Sequence, residues 1–292
     1  MGTERKIGMQ DIAVMSVQYA QYSFDYFLKS METCGVKNVD MWGGAPHYCR
    51  LDYNTSGEAA KAIRELKDRM AARGMKTVMY TPETLAYPYS YSTSNDALRL
   101  RTIEYMKHAM EDALEFGTHY LFMNTCCHSR DMDREEGMKR TIESYAVLCE
   151  YAKRYGVELV FEQLQPYESD LCINIDDMKR IVKEVNSDAL KICIDITAMN
   201  VAGETLQQYF DEFGKKLYWV HYSDSHHLAL GEGDYGREKL ADMIHTLERN
   251  GYEGLLDLEI NDSVYLEDPH AAIAKSVDYL KTLLVAKAFS WG

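Results

Sequence analysis

Leu217-Tyr218-Trp219-Val220-His221-Tyr222-Ser223-Asp224-Ser225 is the stretch whose reading decides the fold. A β-branched and aromatic run that stops at a histidine and a polar cluster reads as a buried strand carrying an imidazole to the mouth of a site. Three other strand-like runs stop in the same way, each on a carboxylate: Val157 to Glu162, Leu190 to Asp195, and Leu255 to Glu259. Parallel strands of a closed barrel all end on one face, so four metal-ligand side chains at four strand ends converge there. The chain is therefore expected to be an α/β protein, a (β/α)8 TIM barrel forming one domain over residues 1–292.

Working outward, the remaining segments complete that alternation. Ile12 to Val17, Asn38 to Trp42, Thr77 to Tyr80 and His119 to Asn124 read as the first four strands. Phe24 to Cys34, Ala59 to Ala72, Leu98 to Phe116 and Arg134 to Tyr155 read as helices between them, stopped by Gly35, Gly74, Gly117 and Gly156. Asp176 to Val185, Leu206 to Phe213, Glu238 to Asn250 and Asp268 to Ala286 supply the later helices. Pro46, Pro82, Pro88 and Pro166 all fall in loops after strands, on the face that also carries the carboxylates. Long loops at that end are expected to shape a pocket.

The balance of charge narrows the function. A net charge of −14 over 292 residues repels phosphate backbones, and no basic stripe interrupts it, which argues against a nucleic-acid enzyme. Seven cysteines without framework spacing point to reduced thiols, and no run approaches the length of a membrane span, so the expected setting is the cytoplasm. A small neutral or cationic substrate fits this composition, with no nucleic-acid and no membrane partner.

Glu162, Asp195, His221 and Glu259 form an oxygen-rich donor set with one imidazole. Such a set suits one divalent ion, Mn²⁺ first, with Mg²⁺, Co²⁺, Fe²⁺ and Zn²⁺ also compatible. Each side chain has an ordinary alternative, since a strand-end carboxylate often caps the next helix. Two carboxylates on opposite sides of a metal also suit proton transfer. Glu162 and Glu259 are the expected acid and base: one takes a proton from carbon, the other returns it to the opposite face, and the result is epimerisation. His47, Glu83, His128 and Tyr87 are further pocket candidates, with Tyr89 and Tyr91 as lid residues and Asp224 as a group orienting neighbouring ligands. His226 and His227 are as well explained by solvation as by function.

Several stretches carry a resemblance: Trp42-Gly43-Gly44-Ala45-Pro46-His47, Tyr80-Thr81-Pro82-Glu83-Thr84, Pro166-Tyr167-Glu168-Ser169, His221 with Asp224-Ser225, Gly231-Glu232-Gly233, and Gly251-Tyr252-Glu253-Gly254. On these the chain resembles the sugar isomerase/epimerase superfamily of xylose-isomerase-like TIM barrels, and within it the fructoselysine 3-epimerases. The resemblance implies the same four metal ligands and the same glutamate pair, Glu168 as a substrate contact, a sugar or sugar-amine substrate, and association into a homo-oligomer. Two positions depart from related enzymes. Ala198 stands where epimerases of free ketoses carry a substrate-touching histidine, which favours a ketosamine over a free sugar. Leu230 stands where proline is expected before Gly-Glu-Gly, a change expected to touch only the loop.

Two other chemistries run on similar barrels. A C-glycoside deglycosidase catalytic subunit would use His128 as the base for elimination from a 3-oxo-glycoside and would need a partner subunit. An endonuclease for abasic DNA would recruit Asp224 and His226 to a second metal, against the acidic charge.

Overall fold

The computed structural model describes residues 5–85 and 89–286. Eight parallel strands close into a barrel in sequence order: β1 (Ile12–Met15), β2 (Asn38–Gly43), β3 (Lys76–Pro82), β4 (Tyr120–Met123), β5 (Glu158–Glu162), β6 (Leu190–Asp195), β7 (Leu217–His221) and β8 (Leu255–Leu258), with β8 pairing back onto β1. Nine α-helices surround it among the described residues: α1 (Phe24–Cys34), α2 (Ser56–Ala71), α3 (Asp96–Phe116), α4 (Arg134–Tyr155), α5 (Ile175–Val185), α6 (Ile196–Val201), α7 (Leu206–Phe213), α8 (Gly236–Arg249) and α9 (Pro269–Ala286). None is long and apolar enough to cross a membrane.

The helix ends follow from local chemistry. Ser23, Asn95, Asp133 and Asn174 each accept a backbone N–H in the first turn of the helix that follows, and Thr55 with Glu58 closes a capping box on α2. The capping turns start α2 and α3 earlier than apolar periodicity alone predicts, because the first turn of each is polar. The short α6 is missing from the periodicity altogether. It begins directly after β6, where both oxygens of Asp195 accept the backbone N–H groups of Thr197 and Ala198.

Two cores hold the barrel. The larger packs the outer strand faces against the helices and includes Val14, Val39, Leu121, Leu159, Ile192 and Val220. The smaller fills the lumen with Ala13, Met79, Phe122, Val160, Cys193 and Trp219, all buried. This inner layer floors the barrel, so polar side chains one step further along each strand must face the C-terminal mouth.

Candidate active site

Alternation along parallel strands places the next inward residue two positions on, and that residue is polar on four successive strands. Cys193 leads to Asp195 on β6, Trp219 to His221 on β7, and Asp257 to Glu259 at the end of β8, while β5 ends on Glu162. Register brings them level: Glu162 pairs with Cys193, Asp195 with His221, and His221 with Asp257. His221 Nδ1 lies 2.5 Å from Glu162 and 3.0 Å from Glu259. Asp195 keeps one oxygen 3.5 Å from His227, whose other ring nitrogen is 3.7 Å from Glu259. The four predicted ligands thus fall into two neighbouring donor groups, Glu162 with Cys193 and His221, and Asp195 with His227 and Glu259, joined by the contact of His221 with Glu259, and Asp195 is a helix cap as well.

Above this cluster opens a cavity with ≈ 600 Å³ of empty space counted out to solvent. Glu83, Glu162, Glu168, Asp195 and Glu259 supply its acidic lining, His227 is the one basic side chain among its described lining residues, and Trp42, Phe122 and Pro82 provide apolar faces. Glu83 is held in place by the Trp42 indole N–H at 3.1 Å and by the backbone N–H of Leu85 at 2.7 Å. The indole itself lies where a side chain at position 44 would stand, since a Cβ on Gly44 would meet the ring at 2.2 Å.

Burial, and then the charges packed together here, set the proton affinities. Burial raises Glu162 to about 8, with Glu259 and Asp195 adding to the rise against the opposing charge of His221. Burial also lifts Glu168 to about 7. Burial works against the imidazolium of His221, but the groups around it, Cys193 and then Glu162 and Glu259, more than offset that and hold its pKa well above the usual histidine range. His227 follows the same pattern and reaches about 9, with Asp195 and Glu259 as the main opposing charges. Glu259 goes the other way: burial would raise it, yet His221 and His227 pull it below its ordinary value.

The loop candidates are distributed differently from expectation. His47 is buried between Phe24 and Phe27, bonded through Nε2 to the carbonyl of Tyr22 at 3.0 Å, and takes no part in lining the cavity. His128 faces a separate cavity, its Nδ1 2.9 Å from Asp170 and its ring seated on Gly137, where a Cβ would come within 2.5 Å. Tyr87 lies outside the described residues. Tyr89 packs at a tilt against Tyr105 and Tyr91 meets Tyr145 edge-on, so both are buried and neither is a lid. Asp224 accepts the backbone N–H groups of Ser225, Gly231 and Tyr235 and so shapes the loop after β7, without touching a ligand. His226 turns to solvent, and among the described residues Asp224 and His226 join no group of metal-ligating side chains. At Leu230 the reason for the missing proline is visible: its N–H donates to Ser276 at 3.0 Å, a bond proline cannot make.

His227 is the site residue that sequence reading left undecided. Ala198 presents only a methyl group, and it is His227 that stands beside Asp195. Both His226 and His227 hold positive φ, 61° and 57°, a conformation non-glycine residues adopt rarely and mostly where surrounding structure demands it. Asp40 and Asp257, fully buried below the ligands, also escaped notice. Asp257 had a readable signal, two residues before Glu259 and so on the same strand face. Burial and then the charge of Asp257 raise Asp40 well above the carboxylate range.

Comparison with known proteins follows the same lines. A family model described as xylose isomerase-like TIM barrel matches residues 28–283. Fructoselysine 3-epimerase of Escherichia coli O157:H7 is 28% identical over 265 residues, covering 89% of this chain and 93% of that protein. The crystal structure of an E. coli 3-keto-D-glucoside 4-epimerase superposes with a TM-score of 0.75 at 18% identity, covering 94% of this chain and 99% of the other. The IOLI protein, solved with a binding zinc atom, gives 0.72 at 15% identity, covering 96% and 99%.

Proposed function

The chain belongs to the xylose isomerase-like TIM barrel family, and on that premise we propose that it is a divalent-metal-dependent epimerase inverting C3 of a ketose or ketosamine, with fructoselysine and its C3 epimer as the substrate pair. The observation that carries this reading is the convergence of Glu162 and Glu259 on His221 Nδ1, at 2.5 and 3.0 Å, beside an acid-lined cavity that both carboxylates line. Three carboxylates and an imidazole, with no lysine or arginine among the described cavity-lining residues, are a donor set that a divalent cation would balance. Glu162, Asp195, His221 and Glu259 would hold it, in keeping with the zinc in the IOLI structure.

When bound there, the ion supplies Lewis acidity that weakens the C–H bond beside a sugar carbonyl. The proton work belongs to the chain. Glu162 and Glu259 reach the cavity from β5 and β8, so one carboxylate takes the C3 proton from one face while the other returns a proton to the opposite face. Their proton affinities are pushed apart, Glu162 up and Glu259 down, which suits one acid and one base. Trp42 and Phe122 offer flat apolar faces to the sugar ring or chain, and Glu168 and His227 stand ready to bind hydroxyls. The five cavity carboxylates favour a substrate bearing an amine, which supports a ketosamine over a free ketose. Elimination from a 3-oxo-glycoside has less support, because His128, its base, faces another cavity.

The test is proton NMR of fructoselysine in D₂O with the Mn²⁺-loaded chain. The C3 proton is expected to disappear as the epimer forms, and to persist after chelation. Exchange that continues at the same rate in the chelated protein, or in Glu162→Gln, overturns the proposal.

A further inference from the structure

Below the ligand cluster lies a polar layer that the proposed proton transfers leave unused. Asp40 on β2 and Asp257 on β8 are both fully buried, and the two carboxyls lie close enough that Asp257 adds to the raised proton affinity of Asp40. Their strands flank β1, where Ala13 pairs with Asp257 and fills little of the lumen. Thr81 Oγ1 donates to Asp40, 2.8 Å from each oxygen, and the Trp219 indole donates to Asp257 Oδ2 at 3.2 Å. Two atoms in this layer are left without a partner: Asp257 Oδ1 and His221 Nε2. Asp40, His221 and Asp257 each bring a polar atom within 4.8 Å of the others. A buried acceptor and a buried ring nitrogen, both unsatisfied and on side chains that approach this closely, are complementary if the nitrogen carries the proton.

We propose that Asp257 is the positioning partner of His221: its Oδ1 accepts the Nε2 proton, directly or through one buried water, and leaves the Nδ1 lone pair for the divalent ion. His221 Nδ1 already faces Glu162 and Glu259, so the ring has the orientation this requires. A flipped ring, or the other tautomer, would place an N–H where the ion needs a lone pair. Trp219 and Asp40 act on Asp257 in turn. The indole fixes Oδ2, and Asp40, itself held by Thr81, limits rotation of the carboxyl, so Oδ1 has a single direction in which to point. A carboxylate behind a ligating histidine also makes the imidazole a stronger donor. The layer therefore orients one ligand of the ion while never touching substrate.

This inference rests on the metal reading above, and the experiment separates the two. The full chain is titrated with Zn²⁺ alone as a diamagnetic probe, affinity is read by chelator competition, and the His221 ring is observed by ¹H–¹⁵N NMR, assigned by its loss in His221→Gln. The wild-type chain is expected to show His221 ligated through Nδ1 and protonated on Nε2. Asp257→Asn is expected to bind Zn²⁺ roughly tenfold to 100-fold more weakly and to move the Nε2 proton resonance. Trp219→Phe, which keeps Oδ1, is expected to lose no more than about threefold. Ligation through Nε2 in the wild-type chain, a measurement needing no folded variant at position 257, overturns the inference, as does an Asp257→Asn affinity within about twofold of wild type. Failure of the wild-type chain to take up Zn²⁺ overturns the metal reading itself.

Discussion

The two halves of the barrel mouth contribute to the cavity by different means. From β5 to β8, the four predicted ligands stand on the strands or one residue past them, and adjacent strands hold them in register: Asp195 opposite His221, and His221 opposite Asp257. From β2 to β4, the candidates stand on loops, and the loops turn most of them away. His47 goes between Phe24 and Phe27, His128 goes onto Gly137, and Tyr89 and Tyr91 pack inward; Glu83 alone of the described candidates there reaches the cavity. A strand side chain has its direction fixed by the pleat, whereas a loop side chain goes wherever packing and hydrogen bonds are best satisfied. The strand half supplies the proposed ligands and proton-transfer groups, and the loop half supplies walls.

The proposed proton-transfer pair carries the largest difference between the two halves. Glu162→Gln and Glu259→Gln are each expected to cut C3 proton exchange in D₂O by roughly 10²- to 10⁴-fold, the ordinary weight of general acid–base catalysis. Retained exchange in either variant would remove the distinction between the two halves. Asp195→Asn comes next. Asparagine keeps one acceptor for the two N–H groups that Asp195 caps, so the melting temperature should fall only slightly while divalent-ion affinity falls by roughly 10- to 100-fold. Equal loss of both would mean that Asp195 serves the helix alone.

Acidity sharpens the same contrast. In the metal-free protein Glu162 and His221 both hold protons more tightly than they would in water, and an incoming ion must displace those protons. Apparent affinity should therefore fall as pH drops, by roughly tenfold per unit for each proton displaced, and level off only above the value near 8 at Glu162. A flat profile between pH 6 and 8, measured by calorimetric titration with Mn²⁺, would contradict this.

The smallest effects belong to the loop half. His128→Ala should leave the exchange rate within about threefold of wild type, since its partner is Asp170, and should cost about 1 kcal/mol of stability for the lost hydrogen bond. His227→Ala, from the other half, should raise KM by roughly tenfold or more with little change in melting. If the histidine variants behaved alike in steady-state kinetics, position on the mouth would not predict role.

The closed barrel and its four inward polar ends were readable because both rest on periodicity. Alternation of strand and helix implies parallel strands, and parallel strands put Glu162, Asp195, His221 and Glu259 on one face whatever the details of packing. The capping residues Thr55, Asn95 and Asp133 were equally local, though their polar first turns hid the true starts of α2 and α3 from an apolar count. Helix α6 stayed hidden because six residues are too few to show a period.

What only the tertiary structure decided is every placement that depends on two segments meeting. His227 reaches Asp195 through a loop whose course is set by Asp224 taking three backbone N–H groups and by positive φ at two histidines, none of it written in residue spacing. The meeting of Asp40 with Asp257 needs β1 between them and Ala13 small enough to leave room. Sequence alone determined the scaffold and the shared face of Glu162, Asp195, His221 and Glu259, because the strand repeat fixes direction every second residue; the cavity's walls and the layer beneath it came from contacts between segments far apart in the chain, which no local pattern encodes.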